Sequence, residues 1–114
     1  VSAAAGGHPS DADRELAARP VLEAALRAAA EGDREALAAC YDDEVVWLEA
    51  GGAVRGREAA VGRHLALAAL AAHWAPPQQQ GARAALRWSG DGPARGAVVV
   101  EVRRGRIVFA ASAP

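Results

Sequence analysis

The sequence predicts an α+β domain in which three helices on its N-terminal side pack against one face of a curved, mainly antiparallel sheet. Two observations carry this expectation. Helical spacing of apolar residues dominates the first two thirds of the chain, broken by one β-branched run, whereas strict alternation dominates the last third. Glycine, proline and aspartate then cut the chain into pieces of helix or strand length. At 114 residues with 52% apolar content, there is room for one closed core and none for a second domain.

Taken in order, residues 1–12 read as a flexible tail and residues 13–114 as the single domain. "VSAAAGGHPS" lacks both the basic leader and the apolar run of a signal peptide. "SDADRELAA" can add a helical turn or two, but Pro20 removes a hydrogen bond, so a bend or a restart is expected there. From Pro20 to Glu31, "PVLEAALRAAAE" sets Leu22, Ala25, Leu26 and Ala29 on one stripe, the pattern of a helix. "EGD" stops it: Gly32 suits the left-handed position past a helix end, and Asp33 can cap the short helix "REALAACY".

"EVVWLE" has strand composition, and "AGGAVRG" turns it into a hairpin with a brief return strand. "REAAVGRHLALAALAAHW" restores helical period, with Val61, Leu65, Ala68 or Ala69, and Ala72 along the inner side. His73 and Trp74 would close this helix, His73 near its terminal carbonyls. "APPQQQG" reads as an exposed polar connection. In the remainder, Ala84, Leu86 and Trp88 alternate with Arg83 and Arg87, and Val98, Val100 and Val102 alternate with Glu101 and Arg103. Period two gives each strand a dry and a wet face. The Arg104-Gly105 turn, either a mirror-type turn or a longer loop with a bulge, leads into "RIVFAAS" and completes an antiparallel meander.

Composition excludes several functions. The formal net charge is −1 and every one of the 13 basic residues is Arg, so no global field recruits nucleic acid or an anionic membrane. Arginines gather in the last third, but only Trp88 interleaves them, which fits a solvated sheet face or a subunit contact better than a nucleic-acid site. The Ala-rich segment from Leu65 to Ala72 is shorter than the ~20 residues of a membrane span. Cys40 is the only cysteine, compatible with a reducing, cytoplasmic setting. No metal-ligand spacing, phosphate-binding glycine loop or nucleophile elbow occurs, so neither a metal nor a cofactor is expected.

The element order, together with "LRAAAEGDREALAACYDDEVVWLEAGGAVRGREAA" and "VEVRRGRIVFAA", resembles the nuclear transport factor 2-like superfamily, and within it the SnoaL-like polyketide cyclases and ketosteroid isomerases. The resemblance runs from about Pro20 to Ser112 and implies a cone-shaped α+β barrel around an apolar cavity. In the cyclase-like pattern the first strand reads V-V-W-E-D-P; here Val45, Val46 and Trp47 match, Leu48 replaces the first acid, Glu49 falls on the Asp position and Ala50 replaces the proline. The resemblance therefore implies Glu49 as the inward-facing acid. It also implies cofactor-free acid/base chemistry on an apolar cyclic or polyketide-like molecule, by isomerisation, aldol-type cyclisation or epoxide opening. The helix-borne tyrosine of ketosteroid isomerases has no counterpart in the first helix.

Glu49 alternates with Trp47 and Val45, so if that face lines a cavity the acid lines it too, with its pKa raised toward neutrality. His64, one turn after Ala60, is a candidate second acid/base, against the ordinary role of a core-edge histidine. Tyr41 is a candidate hydrogen-bond donor to a substrate oxygen, against the plainer task of plugging a helix-strand junction. Trp47, Trp88, Leu65 and Val100 are the expected substrate-binding walls. A non-catalytic ligand-binding or regulatory module of the same shape is the alternative function. Val99, flanked by charges on the wet face of its strand, suggests a homodimer formed sheet to sheet.

Overall fold

The computed structural model describes residues 10–113. Its elements run α1 (Asp11–Ala30), α2 (Arg34–Ala38), β1 (Tyr41–Glu49), β2 (Gly52–Arg55), α3 (Arg57–Leu70), β3 (His73–Trp74), β4 (Gln78–Gln80), β5 (Arg83–Ser89), β6 (Arg95–Arg103) and β7 (Arg106–Ala113). Three helices pack on one face of a curved, mixed sheet ordered β2-β1-β7-β6-β5-β3, with β4 also paired to β5. The expected α+β class and the meander are both present.

α1 is one continuous helix, not two joined at Pro20. Ser10 starts it with a capping box, accepting from the Asp13 amide while the Asp13 carboxylate accepts from the Ser10 amide. Ser10, Asp11 and Ala12, assigned by the sequence to the tail, thus belong to a capped helix start; the rest of that tail lies outside the described residues. Pro20 leaves the carbonyl of Leu16 without its helical partner, and both residues sit on the exposed side, where solvent relieves the loss that a buried site would not. Gly32 adopts the left-handed conformation (φ 68°) and Asp33 Oδ1 accepts from the Ala36 amide at 3.0 Å, so the corner forms as the sequence predicts.

α3 ends at Leu70, earlier than its alanine-rich pattern suggests, and His73 and Trp74 lie in a strand instead of closing the helix. The free edge of β5 captures this segment: Ala72 and Ala75 donate to the carbonyls of Ser89 and Arg87, both at 2.9 Å, and Trp74 sits opposite Trp88. Alanines offer too little apolar area to hold another helical turn against that competition. The polar connection contains a further strand, because Gln78–Gln80 pairs with Ala85, Ala84 and Arg83. Backbone pairing needs no apolar signature, so composition does not reveal it.

The long strands behave as read. Ala84, Leu86 and Trp88, and Val98, Val100 and Val102, are buried on alternate positions. Arg104 and Gly105 both take positive φ (53° and 77°) between paired Arg103 and Arg106, the mirror-type two-residue turn. A long-range contact then completes the sheet: β1 pairs in parallel with β7, joining the N-terminal hairpin to the meander. The core lies between this sheet and the helices, with Trp47, Tyr41, Leu22, Leu37 and Ile107 as its largest fully buried side chains. Trp47 satisfies its indole N–H by donating to Ser112 Oγ at 3.1 Å.

Candidate functional site

Between α1, α3 and the inner sheet face is a cavity lined by Leu22, Ala25 and Leu26 from α1, His64 and Leu67 from α3, Trp74 from β3, and Tyr41, Trp47, Leu86, Val98, Val100 and Ile107 from the long strands. Its volume is about 10 Å³, the room one water molecule needs. The deep pocket implied by the resemblance is thus filled here, mainly by its own aromatic and aliphatic walls. Leu26, Leu67 and Trp74 are only half-buried, so the cavity is most thinly covered on their side.

Two polar side chains stand in this lining, and they bond to each other. Tyr41 opens β1 and points inward; His64 follows Ala60 and Val61 by four and three residues on the buried stripe of α3. The Tyr41 hydroxyl and His64 Nδ1 are 2.7 Å apart. Tyr41, Trp47 and Trp74 surround the imidazole with ring centroids 6.0, 6.5 and 6.4 Å away. Burial lowers the His64 pKa to about 4, and burial, then the nearby Cys40, raises that of Tyr41. Both groups are therefore neutral at physiological pH.

Neutrality decides the proton arrangement. If Tyr41 donates to Nδ1, the only unpaired group is the Nε2–H of His64. If Nδ1–H donates to the phenol oxygen instead, both the phenol O–H and the Nε2 lone pair lack partners. The first arrangement leaves fewer buried polar groups unsatisfied. His64 Nε2 has no hydrogen-bond partner in the protein although the residue is only 5% exposed. The lining therefore carries one free, neutral N–H donor in apolar surroundings.

The remaining sequence candidates are placed differently. Glu49 is not part of the cavity lining: its Oε1 accepts from Arg63 Nε at 2.7 Å, with the two side chains 31% and 49% exposed. Val100 and Trp47 do line the cavity, whereas Leu65 packs against the core at its edge. Trp88 is buried opposite Trp74 but faces a separate cleft with His73 and Arg87. Sequence reading missed Leu67 and Trp74 as walls; the spacing of Leu67, three residues beyond His64, was the available signal for one of them. Among the described residues no three His, Cys, Asp or Glu side chains gather closely enough to hold a metal ion, and no helix is long and apolar enough to cross a membrane.

Comparison with known proteins agrees with this architecture. The SnoaL-like domain family matches residues 22–110. A search of curated proteins returns no match. Among solved structures, an NTF-2 like protein of unknown function from Burkholderia xenovorans LB400 is similar at 23% identity and a TM-score of 0.68, covering 88% of this chain and 84% of that one. A candidate polyketide cyclase from Sinorhizobium meliloti is 19% identical with a TM-score of 0.67, covering 82% of this chain and 94% of its own. A de novo designed protein with a curved β-sheet also matches, at 20% identity and a TM-score of 0.68 over 85% and 84% of the two chains. A fold shared with a designed protein says nothing by itself about chemistry.

Proposed function

The chain belongs to the SnoaL-like domain family, and within that fold we propose that it binds a small, apolar, uncharged molecule through one hydrogen-bond acceptor held by the imidazole N–H of His64. The observation that carries this reading is the buried Tyr41–His64 bond with Nε2 left unpartnered. A buried donor without an acceptor costs roughly 1–3 kcal/mol, and an acceptor on a ligand recovers it. No charged side chain stands in the lining, so a charged ligand would lose its hydration without compensation. Entry requires Leu26, Leu67 and Trp74 to move, because the free volume is only about 10 Å³.

Of the two readings of this fold, binding gains the stronger support. General acid/base work at neutral pH favours a group titrating near 7, and His64 is pushed down to about 4 while Tyr41 is pushed the other way. The catalytic reading keeps one specific support: a neutral imidazole N–H can polarise a carbonyl as isomerisation or aldol-type cyclisation requires. In that case Glu49 must leave Arg63 to serve as base.

Thermal-shift screening of neutral cyclic ketones, lactones and ethers against the wild-type chain and His64→Leu tests the proposal. Ligands of this class are expected to stabilise the wild type and to lose most of that effect in the variant. Equal stabilisation of both proteins removes His64 from the site. Turnover of a screened ketone that Glu49→Gln abolishes, with binding kept, would favour the enzyme instead.

A further inference from the structure

The β3 edge of the sheet holds a second recess, separate from the inner cavity. β3, β5 and β6 run side by side there, and their registers set His73 opposite Ser89 and Ser89 opposite Arg95. Residues directly opposite share a face, so these three exposed side chains form one row across three strands, about 10 Å wide at the spacing of neighbouring strands. Arg87 stands two residues before Ser89 and therefore shares that face. Its neighbours on either side are small: Ala97 lies opposite it on β6, and the Ala75 amide donates to its carbonyl at 2.9 Å. With little side chain at these positions, the strands leave a recess of about 240 Å³, lined by His73, Arg87, Ser89 and Arg95 and bounded by Gly92 and Ala94 of the β5–β6 turn.

The backbone fixes this arrangement. The Gly90 amide donates to the Ala94 carbonyl at 2.7 Å, and a Cβ on Gly90 would stand 2.6 Å from the Leu70 carbonyl oxygen, so the missing side chain lets the turn seat against the end of α3. The chemistry of the lining is one-sided. An imidazole, a hydroxyl and two guanidiniums offer N–H and O–H donors, and among the described residues no carboxylate lines the recess. Arg87 and Arg95 are diagonal neighbours, roughly 7–8 Å apart. Neither makes an ion pair with a described residue, whereas Arg83 and Arg103 share Glu101. Asp91 belongs to the same turn but lies outside the lining. Two like charges thus border one small space, and an anion between them relieves their repulsion.

We propose that this recess binds the phosphoryl group of a small, soluble phosphate monoester. The dianion of such an ester balances two guanidiniums, and its three terminal oxygens can accept from both of them, from the Ser89 hydroxyl and from an imidazole N–H of His73. A carboxylate brings two oxygens and one charge, which leaves donors and charge unmatched. The recess is smaller than the roughly 300–1,000 Å³ of pockets that enclose a whole drug-sized ligand, so it takes the charged group and leaves the rest of the molecule along the sheet edge. A lipid headgroup carries the same phosphoryl chemistry, but a net charge of −1 gives the chain no general attraction to an anionic bilayer. The site is independent of the His64 donor, because the two linings share no residue.

Methyl phosphate, titrated at fixed ionic strength into the isotope-labelled full chain, is expected to shift the amide resonances of His73, Ser89 and Arg95 and to saturate in the millimolar range, as a ligand of few atoms allows. Arg87→Gln and Arg95→Gln should each weaken binding on the order of tenfold. Arg106→Gln, the same loss of charge outside the recess, should leave it near wild type. All three positions are exposed, so melting without phosphate should change little. Equal weakening in the three variants reduces the effect to general charge and overturns the site. Should a variant fold poorly, the wild-type shift map decides: perturbation centred elsewhere, or none, overturns the site. Co-sedimentation with phosphatidic acid vesicles that depends on Arg87 and Arg95, without binding of methyl phosphate, overturns the soluble source.

Discussion

Of the three side-chain pairs that join β1 to α3 at 2.7 Å, Asp43–Arg57, Tyr41–His64 and Glu49–Arg63, the last two have opposite physical meanings. Tyr41–His64 is buried, neutral and enclosed by Trp47 and Trp74. Glu49–Arg63 is charged and partly open to water. Distance does not distinguish them; environment does. In the low-dielectric interior a hydrogen bond is strong and a missing partner costly, whereas a solvated ion pair trades one hydration shell for another and gains little. Arg63 and His64 are consecutive residues, so one helix presents a surface charge and a cavity donor on neighbouring side chains.

The largest way to separate the pairs is acid. His64 titrates at about 4 in the folded chain against 6.5 as its ordinary value. The unfolded chain therefore takes up a proton between these pH values that the folded chain refuses. Stability due to neutral His64 is complete above about pH 6.5 and declines as pH falls toward 4, by about 3 kcal/mol in total. Denaturant unfolding measured from pH 7 to 4 should show this decline, and His64→Leu should flatten it. Glu101, held below the usual carboxylate range by hydrogen bonds from Arg103 and Arg83, loses its contribution only at lower pH, as it becomes protonated. The two effects thus occupy different windows.

A smaller effect comes from cutting the buried bond without a charge change. Tyr41→Phe strands His64 Nδ1, and His64→Leu strands the phenol, so each should cost about 1–3 kcal/mol. Removing both partners leaves no orphan. The double variant should be less destabilised than the sum of the singles, with a coupling of about 0.5–2 kcal/mol in urea unfolding. Strict additivity would mean that the two side chains do not depend on each other.

Much of this architecture is legible in the sequence. The Gly32-Asp33 corner, the β1–β2 hairpin and the alternation of Val98, Val100 and Val102 are local patterns, and local patterns read directly. β3, β4 and the parallel β1–β7 pairing are not legible, because an open strand edge recruits whatever backbone passes by, whether or not its side chains advertise a strand. Tyr41 and His64 are each candidates in the sequence. Their bond is not legible there, since 23 residues separate them and only the packing of α3 on β1 brings them together. Glu49 is the acid that the resemblance implies, and its alternation with Trp47 supports it. That alternation places it on the inner face but not at the cavity: β1 ends there, and Arg63 meets the carboxylate at the rim.

The smallest expected effect is at that rim. Breaking Glu49–Arg63 by Glu49→Gln or Arg63→Gln should change stability by only about 0–1 kcal/mol, and less at high salt, because both groups regain water when unpaired. The same variants sharpen the functional comparison. If the pair merely ties the end of β1 to α3, ligand affinity in the inner cavity should be untouched by either change, while His64→Leu abolishes it. If Glu49 instead moves protons for a bound molecule, Glu49→Gln should leave affinity near wild type yet stop turnover, and Arg63→Gln, by freeing the carboxylate, should raise the rate. The sign of the Arg63→Gln effect on rate thus separates a surface tie from a restrained base.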